Sequence, residues 1–213
     1  MVKAKMSDTN MIRIIGKVET EFEAEYEVCG EKFLSTKIKI YRLSGAFDIV
    51  KIIAPEQLIK SDIVLGSTIE VNGEIRSANY HVGNNSHLIL SVFTRNVKKV
   101  DDKSVNINEL YLYGTICKAP LYRITPGGIE ITELLVAVNR LHRRSDYIPL
   151  IVWGKNARES ANLKVGDLVS IHGRFQSRIY NKTHENGVIE QRVAYEVSCS
   201  EIEQKREEQR IWA

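Results

Sequence analysis

The sequence has few of the features that mark secreted or membrane proteins. Its three cysteines, Cys29, Cys117 and Cys199, are odd in number and far apart, so they form neither a disulfide framework nor a zinc-ligand spacing. The longest apolar runs, such as residues 134–138 and 148–153, are far shorter than the roughly 18 residues of a membrane-spanning helix. The first ten residues are polar and lack the apolar segment of a secretory signal. We therefore expect a cytoplasmic protein with reduced thiols and no membrane contact.

Signals for catalysis, metal binding and cofactor binding are also missing. The five histidines show no HExxH or paired metal spacing, and the chain has neither a glycine-rich phosphate loop nor a nucleophile elbow. We therefore expect no enzyme activity, no metal and no cofactor. The formal net charge of +3 on 213 residues is too small to reveal a polyanion partner by itself, so the distribution of charge must be considered.

What the sequence does contain is a repeat of itself. Residues 64–73 (VLGSTIEVNG) match residues 164–173 (KVGDLVSIHG) at a shift of 100. Residues 12–16 match residues 110–114 at a shift of 98, so the two halves differ by a two-residue insertion. A period of this size indicates two copies of one domain rather than a short solenoid repeat.

The repeat predicts how the chain is divided. The segments are a first domain at residues 10–98, a polar linker at 99–106, a second domain at 107–203 and a charged tail at 204–213. Each half alternates apolar with polar residues and is rich in β-branched side chains, which indicates strands. One short helix fits each half, at residues 55–61 and 156–162. We predict an all-β protein of two tandem OB folds, each a five-stranded barrel with a short helix between strands 3 and 4.

The strand-like segments of the second half combine a core face with a basic, aromatic face. Ile148, Leu150 and Val152 point to one side, while Tyr147, Ile151 and Trp153 point to the other. The polar side of the next segment carries His172, Arg174, Gln176, Arg178 and Tyr180. Exposed rings can stack on unpaired bases while guanidinium groups pair with phosphates. This face predicts the binding of a single-stranded nucleic acid.

Other interpretations of these residues remain open. The basic cluster that follows Asn139 either tracks a phosphate backbone or forms a solvated hairpin tip. The alternative for Tyr147 and Trp153 is packing in the core or at a dimer interface. Burial of Trp153 at a subunit contact would favour a purely structural dimer module.

The order and spacing of these segments resemble the bacterial single-stranded DNA-binding protein family. The resemblance is carried by NR at residues 139–140, DYIP through VWGK at 146–155, KVGD at 164–167, and GR through SRIY at 173–180. It covers the second half nearly end to end and the first half more faintly. It implies an OB fold that binds and protects single-stranded DNA, without sequence preference, in replication, recombination or repair.

The resemblance also implies binding residues in both halves. In the second half they are Arg140, His142, Arg143, Arg144, Tyr147, Trp153, Lys155, Arg174, Arg178, Tyr180 and Lys182, and in the first half Arg42, Phe47, Lys51, Arg76 and Tyr80. At the positions of the second half's four rings, His142, Tyr147, Trp153 and Tyr180, the first half offers Ser44, Phe47, Ile53 and Tyr80. Glu74 and Ala78 also replace two arginines. We therefore expect the second fold to bind strongly and the first to contribute a weaker or structural surface.

Two acidic features bear on the partners. Glu19, Glu21, Glu23, Glu25 and Glu27 form a stripe along one strand-like segment, which we interpret as an edge strand kept soluble by charge rather than as a protein-docking site. The family's acidic tail with a hydrophobic tip is absent, because residues 204–213 mix both charges. There is little support for recruitment of other proteins through a tail.

The resemblance further suggests an assembly and a rival function. Relatives with one OB fold per chain form tetramers, so a tandem chain would reach four folds as a homodimer. Stacking and phosphate contacts do not exclude RNA, so single-stranded RNA is a second candidate ligand. The rival function is a replication-restart adaptor that resembles primosomal replication protein N and acts mainly through protein contacts.

Overall fold

The computed structural model describes residues 9–82, 85–103, 106–140, 144–183 and 187–205, with only the backbone of 81, 82, 85–87 and 182. The strands are β1 (Asn10–Val18), β2 (Glu23–Val28), β3 (Glu31–Tyr41), β4 (Phe47–Pro55), β5 (Thr68–Val82), β6 (Asn85–Lys99), β7 (Ile107–Ile116), β8 (Leu121–Ile124), β9 (Glu130–Asn139), β10 (Ser145–Trp153), β11 (Leu168–Thr183) and β12 (Ile189–Lys205). Helix α1 (Gly154–Ser160) follows β10, and a 3-10 turn (Glu56–Leu58) follows β4. No helix in these ranges is long and apolar enough to cross a membrane.

The strands form two barrels that share one sheet. The order across the sheet is β2-β3-β4-β6-β5-β1-β7-β11-β12-β10-β9-β8. Pairing of β3 with β1 closes the first barrel, and pairing of β9 with β7 closes the second. The pairs β4–β6 and β10–β12 are parallel. This confirms the predicted all-β fold of two tandem OB barrels.

Each barrel is filled by the alternate apolar residues of its strands. Val50 and Ile52 of β4 are fully buried, as are Ile148 and Leu150 of β10. Burying a side chain of this size stabilises the fold by about 1.5–3 kcal/mol. Phe175 fills the second barrel from β11 and is also fully buried. The period of two therefore assigned the inner face of β10 correctly. On the other face Tyr147 and Trp153 are exposed, but Ile151 is buried at 7% exposure.

The last glycine of the repeated motif, Gly73 in the first copy and Gly173 in the second, is required by close packing. A Cβ atom at Gly73 would lie 2.2 Å from the carbonyl oxygen of Phe93, and one at Gly173 would lie 2.4 Å from that of Ser198. Real Cβ atoms do not come this close to backbone oxygen. Both glycines stand where the hairpin register shifts, so each permits a bulge that bends the strand pair around the barrel.

Antiparallel pairing of β1 with β7 joins the barrels, from Asn10 opposite Leu112 to Ile15 opposite Ile107. The two strands of the junction make equivalent contacts, each within its own barrel. The Asn10 amide nitrogen donates to the Ile75 carbonyl at 2.8 Å, and that of Asn108 donates to the Phe175 carbonyl at 2.6 Å.

A buried carboxylate of the second barrel ties it to the first. Asp146 is fully buried and pairs with Arg140 of its own barrel. Its Oδ1 accepts the Ser77 backbone N–H at 2.5 Å, and its Oδ2 accepts from Arg76 Nη1 at 3.0 Å. We call Asp146, Arg140, Arg76 and Ser77 the Asp146 clamp. A buried carboxylate is tolerated only when its oxygens are satisfied in this way.

The reciprocal contact ties the first barrel to the second. Asp48 is 1% exposed and receives Arg42 Nε at 2.8 Å. Its Oδ1 also accepts the Ser177 backbone N–H at 2.9 Å, and the Ser177 hydroxyl accepts the Ile49 N–H at 2.9 Å. We call Asp48, Arg42 and Ser177 the Asp48 clamp. The two clamps and the β1–β7 pairing hold the barrels together from three sides.

The insertion that separates the two halves lies after β10. Strands β4 and β10 both have nine residues and the same cross-strand pairing, so they correspond at a shift of 98. The corresponding pairs are Ile49 with Tyr147, Ile53 with Ile151 and Pro55 with Trp153. The matching of Tyr147 to Phe47 and of Trp153 to Ile53 is therefore wrong. The helix predicted at residues 55–61 is wrong, because the first barrel has only the 3-10 turn Glu56–Leu58 there. The helix predicted at residues 156–162 is the seven-residue α1, which begins two residues earlier.

Candidate nucleic-acid interface

A groove of about 1370 Å³ lies between the two barrels. The first barrel contributes Lys37, Arg42 and Phe47, and the second contributes Trp153, Arg174 and Arg178. Two acidic residues, Glu19 and Glu109, also line it, so four basic residues face two acidic ones. The groove combines exposed rings with basic side chains, the two kinds of group that contact a single-stranded nucleic acid.

Trp153 stands at the mouth of the second barrel rather than in its core. It is the last residue of β10, and Gly154, with φ at 59°, ends the strand there. The indole is 39% exposed, and its Nε1 donates to the Ser198 hydroxyl at 3.2 Å. The hydrogen bond fixes the edge of the ring while the exposure leaves room for a stacked base. Burial of Trp153 in the core is thereby excluded.

The arginines of β11 supply the charge of the groove. Arg174 donates to the Gln176 side chain at 3.3 Å rather than to a carboxylate. Burial and the positive charge of Arg42 lower the pKa of Arg174. Arg178 lies 3.4 Å from Glu196 and 5.6 Å from the centre of the Tyr180 ring. Unlike Arg42 and Arg178, whose guanidinium groups lie beside carboxylates, Arg174 is thus placed to pair with an anionic ligand such as a phosphate.

Phe47 presents a ring from the first barrel. It is 48% exposed and makes an edge contact with Tyr41 at 6.2 Å between ring centres. The Lys39 ammonium lies 4.4 Å from the centre of the Phe47 ring. A cation beside a ring is the arrangement in which a base can stack while its phosphate is neutralised. Sequence reasoning missed Lys39 and Tyr41, although both alternate with the core residues of β3.

Three predicted phosphate contacts have structural partners instead. Arg140 is held by Asp146 and also donates to the Ser77 carbonyl at 3.0 Å. Arg76 belongs to the same clamp, and Arg42 is bound to Asp48. Because buried carboxylates already neutralise these guanidinium groups, we remove them from the set expected to bind phosphate. Sequence reasoning could not anticipate this, since two of the contacts cross between barrels.

The remaining predicted residues lie outside the groove. Tyr147 and Tyr80 are exposed on the outer faces of β10 and β5, and Tyr180 is half-buried on β11. Lys51 pairs with Glu25 at 2.6 Å, Lys155 lies 3.7 Å from Glu159 on α1, and Arg144 is exposed beside β10. His142 and Arg143 fall outside the described residues, as does the side chain of Lys182.

The acidic stripe lies on a sheet edge. Strand β2 is the first strand of the sheet order, and all six of its residues are exposed. A register shift between Ala24 and Tyr26 breaks the alternation of the glutamates. Although burial opposes it, hydrogen bonds from Lys51 and Ser35 lower the pKa of Glu25. Glu19 likewise lies 3.5 Å from Lys39. Two acids of the stripe are therefore neutralised by lysines.

Across the described part of the chain, no group of three His, Cys, Asp or Glu residues could hold a metal ion. Cys29 is exposed, Cys117 is partly buried and Cys199 is buried. Burial raises the pKa of the Cys199 thiol to about 12, so it remains protonated at neutral pH.

Comparison with known families decides the relationship. Residues 107–204 match the model of the Single-strand binding protein family. This match covers nearly all of the second half of the chain. Curated relatives include the single-stranded DNA-binding proteins of Clostridium tetani, 38% identical over 81 residues, and Halalkalibacterium halodurans, 37% identical over 82 residues. Each alignment covers 35% of this chain, and 56% and 49% of the respective relative. The chain thus spans about half the length of the curated relatives it matches.

A solved structure shares the fold of both barrels. The wild-type single-stranded DNA binding protein from Thermus aquaticus superposes with a TM-score of 0.73, over 92% of this chain and 93% of that chain. A deletion mutant of the same protein gives the same TM-score over 93% of this chain and 95% of its own. Sequence identity is 18% in both cases, so the likeness establishes the tandem fold alone.

Proposed function

We propose that this protein binds single-stranded DNA without sequence preference, along the groove between its two barrels. One observation carries the proposal: Trp153 of the second barrel and Phe47 of the first line the same groove. Each ring is exposed, and each has an arginine or lysine beside the groove that can meet a phosphate. The relatives' names, which specify single-stranded DNA, support the same ligand.

The mechanism divides the ligand between two kinds of contact. Bases stack on Trp153 and Phe47, each stack contributing about 1–3 kcal/mol. Phosphates pair with Arg174, Arg178 and Lys37. Neither contact reads the edge of a base, so affinity depends little on sequence. Duplex DNA binds poorly, because its paired bases do not offer their faces to the rings.

Binding of this kind would protect exposed strands during replication, recombination or repair. Neither stacking nor phosphate pairing requires or excludes a 2′-hydroxyl, so a dT and rU comparison tests RNA as a second ligand. A homodimer would bring four barrels together. Light scattering on the eluted peak of a size-exclusion column tests that assembly.

The test uses the two tryptophans of the chain, Trp153 and Trp212. In a Trp212→Phe variant, all tryptophan emission comes from Trp153. We expect dT oligonucleotides of about 8 to 40 nucleotides, which span the roughly 4 to 16 nucleotides occupied by one OB fold, to quench this emission. The quenching should weaken with salt, and duplex of equal length should cause little.

The matched control is Trp153→Phe, in which only Trp212 emits. Equal quenching in both variants would show that the signal does not come from the groove. Absence of quenching in Trp212→Phe, together with absence of a mobility shift with the same oligonucleotides, would contradict the proposed function.

A further inference from the structure

The first barrel has a row of rings on strands that the repeat did not single out. Tyr26 of β2, Phe33 of β3 and Phe93 of β6 follow one another across the sheet. The ring centres of Tyr26 and Phe33 are 4.8 Å apart, and those of Phe33 and Phe93 are 5.9 Å apart. Tyr26 is 43% exposed and Phe33 8% exposed, so Phe33 supports the row from below. We call these three residues the aromatic row.

The position of Phe93 in the first barrel corresponds to the position beside the Trp153 ring in the second barrel. In the parallel pairing of β4 with β6, Ile53 lies beside Phe93, and in the matching pairing Ile151 lies beside Ser198. Phe93 therefore corresponds to Ser198, the residue that Trp153 contacts. The first barrel lacks the tryptophan, since Pro55 stands in its place, but it supplies a ring to the same patch from the neighbouring strand.

Two guanidinium groups flank this ring. Arg95 lies 4.9 Å and Arg76 5.8 Å from the centre of the Phe93 ring. Both pair with Glu74, Arg95 at 2.9 Å, so one carboxylate serves two cations. The Arg95 side chain is 54% exposed. A base can displace an exposed arginine from the face of a ring and stack there in its place. The guanidinium group can then pair with the phosphate of the same nucleotide.

The acidic residues near the aromatic row are already paired with basic side chains. Glu25 is paired with Lys51 and Glu74 with two arginines. Burial and the nearby Glu25 carboxylate raise the pKa of Tyr26, while Arg140 of the second barrel opposes that shift. Arg76, which lies 5.8 Å from the centre of the Phe93 ring, also pairs with Asp146 of the second barrel at 3.0 Å. The row thus adjoins the second barrel, and a strand lying on it can continue from one barrel to the other.

We propose that Tyr26 and Phe93, supported by the buried Phe33, form a second base-stacking platform for single-stranded DNA, with Arg95 as its phosphate contact. The platform rests on the proposed function and extends it, because the first barrel then binds bases at a second place besides Phe47. Its rings come from β2, β3 and β6, whereas the second barrel offers Trp153 from β10.

The decisive experiment places a reporter in the row. The first barrel has no tryptophan, so Phe93→Trp in a Trp153→Phe, Trp212→Phe background leaves one emitter on the platform. We expect dT oligonucleotides longer than one fold's roughly 4 to 16 nucleotides to quench it. The matched control is Val64→Trp in the same background, at an exposed loop residue of the same barrel. Its emission should not change.

An affinity measurement supports the reporter. Phe93→Leu retains an apolar side chain but removes the ring, and we expect it to weaken binding of the same oligonucleotides about 5- to 150-fold, the effect of losing one stacked base. Val64→Ala should bind like the unmodified chain. Circular dichroism melting of each variant verifies that it is folded.

The outcomes separate the two proposals. Quenching of Trp153 without quenching at residue 93, together with unchanged affinity of Phe93→Leu, would overturn the platform and leave the groove intact. Absence of quenching at both sites, with no mobility shift, would overturn both.

Discussion

The two barrels fill their cores from matching positions of matching strands, but they place their rings and charges on different strands. The second barrel carries Trp153 on β10 and Arg174 and Arg178 on β11. The first carries Phe93 on β6 and Phe47 on β4. The inside of a barrel must fill a fixed volume, whereas an outer face needs a ring somewhere within reach of a flexible strand. Binding residues can therefore move between strands while the core stays in register.

The contacts between barrels follow the opposite pattern, because they are kept at matching positions. Arg42 and Asp48 correspond to Arg140 and Asp146 at a shift of 98, and Ser77 corresponds to Ser177 at a shift of 100. The Asp146 clamp has a second arginine, Arg76, which the Asp48 clamp lacks. The stability lost on removing each aspartate can therefore be compared between a clamp with two arginines and a clamp with one.

The largest expected effect is on stability, through Asp146→Ala. The change removes the shared carboxylate from Arg140 and Arg76, of which Arg76 alone keeps another carboxylate, that of Glu74. Breaking a buried pair of this kind costs about 3–5 kcal/mol. Asp48→Ala should cost less, because only one arginine loses its partner. Urea denaturation followed by circular dichroism measures both. Asp62→Ala, at an exposed residue, is the control, and a loss in that variant equal to Asp146→Ala would contradict the clamp.

The next effect is on affinity, through Trp153→Ala. Removing one stacking ring should weaken binding of dT by about 5- to 150-fold, while the barrel stays folded because the ring is partly exposed. Fluorescence anisotropy with labelled dT measures the affinity. Unchanged affinity in a folded variant would remove Trp153 from the binding surface.

A smaller effect separates the arginines of the groove from those of the clamps. Each phosphate contact on a single strand contributes about −0.7 to the slope of log K against log salt. Arg174→Gln should therefore reduce the magnitude of the slope by about 0.7. Arg140→Gln should leave the slope unchanged, because Asp146 already neutralises that side chain. The reverse result would return Arg140 to the phosphate-binding set.

The smallest effect is a pH dependence at the junction of the barrels. Hydrogen bonds from Arg13 and Lys98 lower the pKa of Glu70 from 4.5 to about 2. A carboxyl group with a lowered pKa stabilises the fold above its unfolded pKa, and this stabilisation is lost as the pH falls. Stability should therefore fall between about pH 4.5 and pH 2, and less steeply in Glu70→Gln. Parallel curves for the two proteins would contradict the Glu70 contribution.

Much of this fold could be predicted from the sequence, because strand alternation and the internal repeat are local patterns. The exposed face of β10 with Tyr147 and Trp153 followed from a period of two. The clamps could not be predicted in this way, because Ser177 and Asp48 are 129 positions apart in the sequence. Phe93 was also missed, because a single phenylalanine in a strand does not by itself indicate a binding site. Its role depends on the correspondence of Pro55 to Trp153, which only the strand pairing shows.

The most direct test of a groove shared by both barrels is the affinity of Phe47→Leu for a dT oligonucleotide, measured beside Leu43→Ala. Both residues are exposed in the β3–β4 region of the first barrel, but only Phe47 lines the groove. We expect Phe47→Leu to bind about 5-fold more weakly or worse, and Leu43→Ala to bind like the unmodified chain. Equal affinities in the two variants would contradict a shared groove and confine binding there to the second barrel.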